Sequence, residues 1–198
     1  MRKRRLSRSF YARDTLTVAE ELIGKVLVHA SPEAKMAGRI VEVEAYVGQD
    51  DPACHAARGR TQRNAVMFGP AGYSYVYFIY GMYYCLNVVT EHEGFAAAVL
   101  IRAAEPLEGE SLMQEYSPKL KRDKLLAGPG RLCRSMGITR EHNGLDLLGT
   151  ALYFEDRAAD PTQVVRTPRI GIRVGTRRNW RFCDPESSAL SRPIRNTT

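Results

Sequence analysis

Apolar and polar positions alternate along Gly38-Arg39-Ile40-Val41-Glu42-Val43-Glu44-Ala45-Tyr46, and this period of two predicts a half-buried β-strand with Glu42, Glu44 and Tyr46 on one face. Upstream, Thr17-Val18-Ala19-Glu20 has the spacing of a capping box and Gly24 is a natural stop, which predicts a short helix over 18–23. The apolar run Lys25-Val26-Leu27-Val28 follows as a strand, and 31–38 reads as a loop. Asp51-Pro52 has the form of an N-cap followed by proline at the first helical position, opening a brief helix that carries His55. Between Gly72 and Asn87 two aromatic and β-branched runs flank Gly81, the pattern of a hairpin with its tip at Tyr80-Gly81-Met82 and with Tyr73, Tyr75 and Tyr77 on one face. A strand over Ala96 to Ala104 contains Arg102, a helix covers 108–116, and proline and glycine bracket another helix between Gly128 and Gly137. Late strands are expected at 151–155 and 168–174. With no internal repeat and no dividing linker, the expectation is one compact α+β domain: a curved, mostly antiparallel sheet with short flanking helices and a protruding hairpin.

Composition narrows the class. The 198 residues are 44% hydrophobic and 26% charged, near the globular norm, and no run approaches the ~18 to 20 apolar residues of a membrane span. The N-terminus has no apolar stretch behind its basic residues, so it does not read as a secretory signal, and reduced thiols in the cytoplasm are the simpler expectation. Cys54, Cys85, Cys133 and Cys183 are too far apart for a zinc knuckle or an iron–sulfur cluster, and the four histidines lack paired spacing, so no metal and no cofactor is expected.

Charge changes the picture more. The chain carries 29 basic against 22 acidic residues, a net +7. Arg2, Lys3, Arg4, Arg5 and Arg8 make a basic arm, expected to be disordered over 1–8; Lys119, Lys121, Arg122 and Lys124 form a second cluster. The stretch 166–181 holds Arg166, Arg169, Arg173, Arg177, Arg178 and Arg181 with no carboxylate at all. Such patches fit a polyanionic partner, nucleic acid above all, or else a solvated surface with a loose tail.

Three features admit chemistry. Glu42 and Glu44 stand roughly 6–7 Å apart at their bases on one strand face, a spacing open to paired acid and base work or to ordinary surface charge. Arg102, inside an apolar strand, needs a carboxylate if buried; paired with Glu44 it would keep that glutamate ionised and fit to act as a base. The alternative is an edge arginine reaching water. The tyrosines either fill a core or present faces on which bases stack, and a tip aromatic such as Tyr80 suits a wedge in a base stack.

The succession Val43-Glu44-Ala45-Tyr46, His55, Tyr75-Val76-Tyr77-Phe78-Ile79-Tyr80-Gly81-Met82, Cys85-Leu86-Asn87 and Ile101 through Gly109 resembles the alkyladenine (3-methyladenine, methylpurine) DNA glycosylases. Gly128 to Cys133 and Pro168 to Ile172 extend the likeness, which spans 9–182. The resemblance implies a mixed domain without a helix-hairpin-helix element. It also implies excision of alkylated or deaminated purines (3-methyladenine, 7-methylguanine, hypoxanthine, ethenoadenine) from double-stranded DNA. Carried onto this chain, Glu44 is the base that activates water, Arg102 and the Ile170 carbonyl help hold that water, and Tyr80 fills the gap left by the flipped nucleotide. Tyr46 and Tyr77 sandwich the base, His55 lies at its edge, Asn87 stands where guanine's amine would clash, and Tyr75 lies behind. Glu42 becomes a structural carboxylate, an assignment that a mild Glu42→Gln phenotype would support.

Chemistry fits these roles: a carboxylate stabilises the oxocarbenium character of the breaking N-glycosidic bond, and aromatic faces favour a cationic purine. The arginines of 166–181 are expected to bind phosphates without reading sequence. No Schiff-base lysine is evident, so a monofunctional enzyme leaving an abasic site is expected, as a monomer. Organisation is expected as the arm 1–8, the catalytic domain 9–183 and a C-terminal tail 184–198. Phe78 in place of an aliphatic residue and the loosely similar segment 176–184 depart from the family pattern. Two rival readings are a binding module that stacks bases without chemistry and a carbohydrate hydrolase using Glu42 and Glu44.

Overall fold

A computed structural model describes residues 4–32, 34–157, 161 and 163–194. One sheet of nine strands organises the chain, and every pairing is antiparallel: β1 (Arg4–Arg5), β2 (Val26–Ala30), β3 (Lys35–Val47), β4 (Ser74–Ile79), β5 (Tyr83–Val89), β6 (Ala97–Glu108), β7 (Leu152–Asp156), β8 (Val165–Thr167) and β9 (Arg181–Cys183). The main order is β1-β7-β2-β3-β6-β5-β4, with β9 on β3 and β8 on β9. Short helices α1 (Arg8–Tyr11), α2 (Thr15–Leu22), α3 (Glu110–Tyr116) and α4 (Pro129–Ser135) flank it. Leu22, Leu27, Ile40, Ile101, Phe154 and Phe182 are buried in the main core, which seals the sheet against the helices.

The central strand is longer and more deeply buried than its alternation suggests, because it has neighbours along both edges. Its first part pairs with β2, its later part (Glu42 to Glu44) with β9, and β6 runs along its other edge. The β3–β6 ladder is irregular near its start, where Leu107 is skipped between the Ala37–Glu108 and Gly38–Pro106 pairs, and again in its middle: Ile40 faces Ala104, Glu42 faces Ala103 and Val43 faces Ile101, so Val41 and Arg102 are both skipped. Bulges bend a strand and re-aim side chains, and the second irregularity sits where two glutamates and an arginine converge.

Several expectations change locally. The first long helix begins at Thr15 with Asp14 as its cap, whose carboxylate accepts from the Thr17 amide at 2.9 Å; Thr17 lies inside the first turn. The stretch after Asp51 is a series of turns, not a helix. Asn64 takes the carbonyl of His55 at 2.8 Å, so that oxygen caps a loop instead of a helical turn. Residues 168–174 form no strand either; Pro168 lacks an amide donor, Gly171 turns at φ 77, and the late strands are β8 and β9. Residues 4–8, expected in a free arm, pair with β7 and pack: Arg4 lies opposite Asp156, Leu6 is buried, and Arg8 bonds Asp146 at 2.7 Å and the Ala71 carbonyl at 2.6 Å. Residues 1–3 lie outside the described residues. The segment 184–194, expected as a tail, also folds back, with Asp184 and Ala189 buried. The hairpin stands as anticipated, and positive φ at Tyr80 and Gly81 (55 and 67) gives the reversed twist that two-strand turns favour.

Candidate active site

Strands β3 and β6 bring Glu44 and Arg102 together beside a cleft of about 750 Å³, within the usual range for ligand pockets; Arg102, Tyr46 and Ile170 border it, and Glu44 lies directly behind them. Glu44 is fully buried. One of its oxygens accepts from the Ile170 amide at 2.7 Å, while the other accepts from the Tyr46 hydroxyl at 2.8 Å and lies 3.2 Å from Arg102 Nη1. Three donors converging on two oxygens is the environment of a carboxylate acting as acceptor. Burial, and then the negative charge beside it, push the Tyr46 phenol far above its ordinary pKa, so Tyr46 stays a donor.

Glu42 is equally buried but is used differently. It accepts from Arg102 Nε and Arg181 Nε, both at 2.8 Å, and from the amide and hydroxyl of Ser191 at 2.6 and 2.7 Å. Burial alone would raise its pKa, but Arg102, Arg181 and Ser191 outweigh that and hold it below the ordinary value. A carboxylate held ionised by two guanidiniums is not placed to donate a proton, so Glu42 does not fit the acid of a paired-carboxylate hydrolase.

Tyrosines build the wall above. Tyr75 belongs to a second buried cluster with Cys54, Met67 and Val89, and Tyr46, Tyr73 and Tyr77 pack over it, so these residues are both core and lining. Tyr46, His55, Tyr75, Tyr77, Tyr80, Asn87, Arg102 and Ile170 all border the cleft. His55 Nδ1 is 2.9 Å from the Tyr75 hydroxyl, and its ring meets Tyr77 edge-on at 4.6 Å. Surrounding protein, and then the Arg63 guanidinium, lower the His55 pKa and keep the ring neutral. Burial pushes Tyr75 up to about 12. Asn87 is fixed by its own amide, which donates to the Tyr75 carbonyl at 2.9 Å. Tyr80 is 79% exposed in a left-handed conformation, an uncommon state for a large side chain and one that concentrates at functional sites.

The arginine-rich stretch divides. Arg169 and Arg181, expected to meet phosphates, are buried instead: Arg169 forms a two-pronged pair with Asp51 at 2.5 and 2.7 Å and lies over the Tyr46 and Trp180 rings, and Arg181 is held on Glu42. Arg166 is engaged by Glu20 at 2.5 Å, and Arg178 bonds the Asp50 carbonyl at 2.8 Å and stacks on Trp180. Arg173 and Arg177 are exposed and, among the described residues, have no ion-pair partner. Residues 166–181 contain no carboxylate, but Asp51, Glu42 and Glu20 arrive from elsewhere in the chain to meet these arginines.

Sequence reasoning missed Asp51 as an anchor, Ser191 as a partner of both Glu42 and Arg102, and Arg63, Arg131 and Arg134 beside the cleft. The fragment Gly128-Pro129-Gly130-Arg131 was the available signal for the last group, since proline at a helix start lays the basic face of α4 along the cleft. Among the described residues no cluster of three histidines, cysteines or carboxylates is placed to hold a metal ion, and no helix is long and apolar enough to cross a membrane.

The family model for methylpurine-DNA glycosylase matches residues 9–188. A protein of Methanocella arvoryzae is 51% identical over 192 residues, covering 94% of this chain and 96% of its own. One from Sodalis glossinidius is 53% identical over 177 residues, covering 89% and 95%, and one from Anaeromyxobacter dehalogenans is 50% identical over 193 residues, covering 96% and 87%. All three carry the name "Putative 3-methyladenine DNA glycosylase". With a family match spanning nearly the whole fold and relatives about half identical along most of the chain, the chain belongs to the methylpurine-DNA glycosylase family, monofunctional enzymes that hydrolyse N-glycosyl bonds in DNA.

Proposed function

We propose that the protein binds double-stranded DNA as a monomer, turns an alkylated or deaminated purine out of the helix, and hydrolyses its N-glycosidic bond with water activated by Glu44. The target base is out of reach inside a duplex, so extrusion precedes chemistry. The observation that carries this reading is the position of Glu44 immediately behind the wall of an aromatic cleft, touching Arg102, Tyr46 and the Ile170 amide, all three of which belong to residues that border the cleft. Glu44 takes the water's proton, and its charge opposes the positive charge that builds on the sugar. Arg102 and the Ile170 carbonyl orient the water. Tyr46 and Tyr77 stack on the extruded base, with neutral His55 at its edge and Tyr75 behind. A purine already alkylated leaves as a neutral molecule, and the tyrosine faces favour its cationic form without a dedicated acid; a neutral deaminated purine takes up a proton from solvent as its bond to the sugar breaks.

Tyr80 takes the place of the departed nucleotide; its 79% exposure at a hairpin tip supports that role, since a wedge must stand clear of its own core. Asn87, held by its bond to Tyr75, presents a fixed obstacle to the exocyclic amine of guanine. Arg173 and Arg177 supply phosphate contacts. Glu42 serves as the counter-charge that keeps two buried arginines in place.

The test is single-turnover cleavage of labelled duplexes carrying one hypoxanthine or one ethenoadenine, followed by alkali, together with base release from methylated duplex DNA. Wild type and Glu44→Gln are compared, with lesion binding measured in parallel. Alkali-labile sites from wild type alone, with binding retained by the variant, are expected; base release by Glu44→Gln at the wild-type rate would sink the mechanism, and binding of every substrate without cleavage by wild type would leave a binding module.

A further inference from the structure

We infer that Ser191 is a positioning residue for base excision: through its contacts with Glu42 and Arg102 it sets the orientation of the guanidinium that meets Glu44. The inference rests on the assignment of Glu44 as the base. It concerns a residue beyond the family model's match, which ends at residue 188.

The geometry is that of a clamp. Arg102 presents a rigid planar fork, and each of its three nitrogens has a partner: Nε donates to Glu42 at 2.8 Å, Nη2 donates to Ser191 Oγ at 3.1 Å, and Nη1 lies 3.2 Å from Glu44. Two of these three contacts lie on the side away from Glu44, so Glu42 and Ser191 fix the plane from which Nη1 reaches forward. Ser191 Oγ sits between the two charged groups, accepting from Arg102 and donating to Glu42 at 2.7 Å. Its amide is a donor to the other Glu42 oxygen, at 2.6 Å. The next residue extends the clamp, since the Arg192 carbonyl accepts from Arg181 Nη2 at 2.6 Å.

The segment bearing Ser191 is itself fastened. Asp184 pairs with Arg39 at 2.7 Å, Ser187 donates to Glu105 at 2.6 Å, and Ala189 packs with Val41 and Ala103. Val41 is one of the two residues skipped where the β3–β6 ladder bulges in its middle, and Ala103 follows the other. The strap thus covers the bulge that aims Arg102 and delivers a hydroxyl to its far side. Ser191 is itself half-buried at the edge of the cleft, while both charged partners of its hydroxyl are buried.

The experiment uses the full chain and three variants, Ser191→Ala, Ser191→Thr and Glu44→Gln. Release of 3-methyladenine from methylated duplex DNA is followed under single-turnover conditions, and affinity is measured separately on a duplex with a non-cleavable abasic analogue. Displacing a reacting group by about 1 Å costs on the order of a hundredfold, so Ser191→Ala is expected to cleave about tenfold to a hundredfold more slowly. Its affinity is expected to stay within about twofold of wild type, and Ser191→Thr, which keeps hydroxyl and amide, to recover most of the rate. Ser191→Ala cleaving at the wild-type rate while Glu44→Gln is inactive overturns the inference and leaves the general base intact. Glu44→Gln cleaving normally overturns both. Rate and affinity falling together without rescue by threonine would make Ser191 a structural residue only. Should Ser191→Ala fail to fold, Ser191→Cys fills the same space with a poorer hydrogen-bonding atom and is expected to give the same slow cleavage with retained binding.

Discussion

Replacing Asp51 by asparagine tests the finding that the arginine-rich stretch is partly an internal scaffold. Asp51 and Arg169 have fully buried side chains and meet through two bonds of 2.5 and 2.7 Å. The guanidinium also donates to the Ala45 carbonyl at 2.9 Å, and Arg178 approaches the same aspartate at 3.9 Å. Asp51→Asn keeps the size and removes the charge, which leaves Arg169 buried with a neutral acceptor. Breaking a buried pair from one side costs about 3–5 kcal/mol. The rings of Tyr46 and Trp180, 4.6 and 5.2 Å from the guanidinium, return part of that, which places the expected loss toward the lower end. For a chain of this length each kcal/mol moves the midpoint by about 2–4 °C, so a drop of about 6–12 °C is expected. Urea unfolding followed by tryptophan fluorescence reads the change directly, because Trp180 stacks on both Arg169 and Arg178. A loss below about 1 kcal/mol, the value of an exposed ion pair, would refute the buried-scaffold account and return Arg169 to the surface.

The complementary prediction concerns Arg173 and Arg177. Alanine at both is expected to reduce the slope of log affinity against log salt by about 1.8, since each phosphate contact contributes about 0.9, while the single-turnover rate at saturating enzyme stays unchanged; an unaltered slope would remove both from the DNA-facing surface. A third prediction follows from two histidines. His29 Nδ1 lies 2.6 Å from the Met136 carbonyl and must donate to it, and the Thr139 amide donates to His142 Nδ1 at 3.1 Å. His142 therefore carries its proton on Nε2 and donates it to His29 Nε2 across 3.0 Å, an arrangement possible only with both rings neutral. Burial, and then His29, lower the His142 pKa below 6.5, so its stabilising contribution is complete above that value and is lost as pH falls through the depressed folded value. Urea midpoints measured from pH 7 to pH 5 should decline, and decline less in His142→Gln, with His55 supplying some remaining slope because its pKa is lowered too. Identical declines in the two proteins would show that the pair does not couple to folding.

The sequence alone determined the elements whose signal is local. Alternation marked the strand bearing Glu42 and Glu44, glycine between aromatic runs marked the hairpin and its exposed tip, and proline with glycine bracketed α4. The ordered run of short motifs pointed to the family and hence to Glu44 and Arg102, which the fold places 3.2 Å apart. Decisions among like residues belonged to the tertiary structure. Nothing local separates Arg169 from Arg173, yet one is locked on Asp51, 118 positions away, and the other lies in solvent. The basic run at 4–8 likewise became a strand and a helix start because Asp146 and Asp156 came to meet it. Glu42 and Glu44 share a face and a burial, and only the partners brought by β9 and by Ser191 make one a counter-ion, while the other meets residues that border the cleft. A charge's role is fixed by what neutralises it, and in a chain folded across its full length those groups lie far apart in sequence.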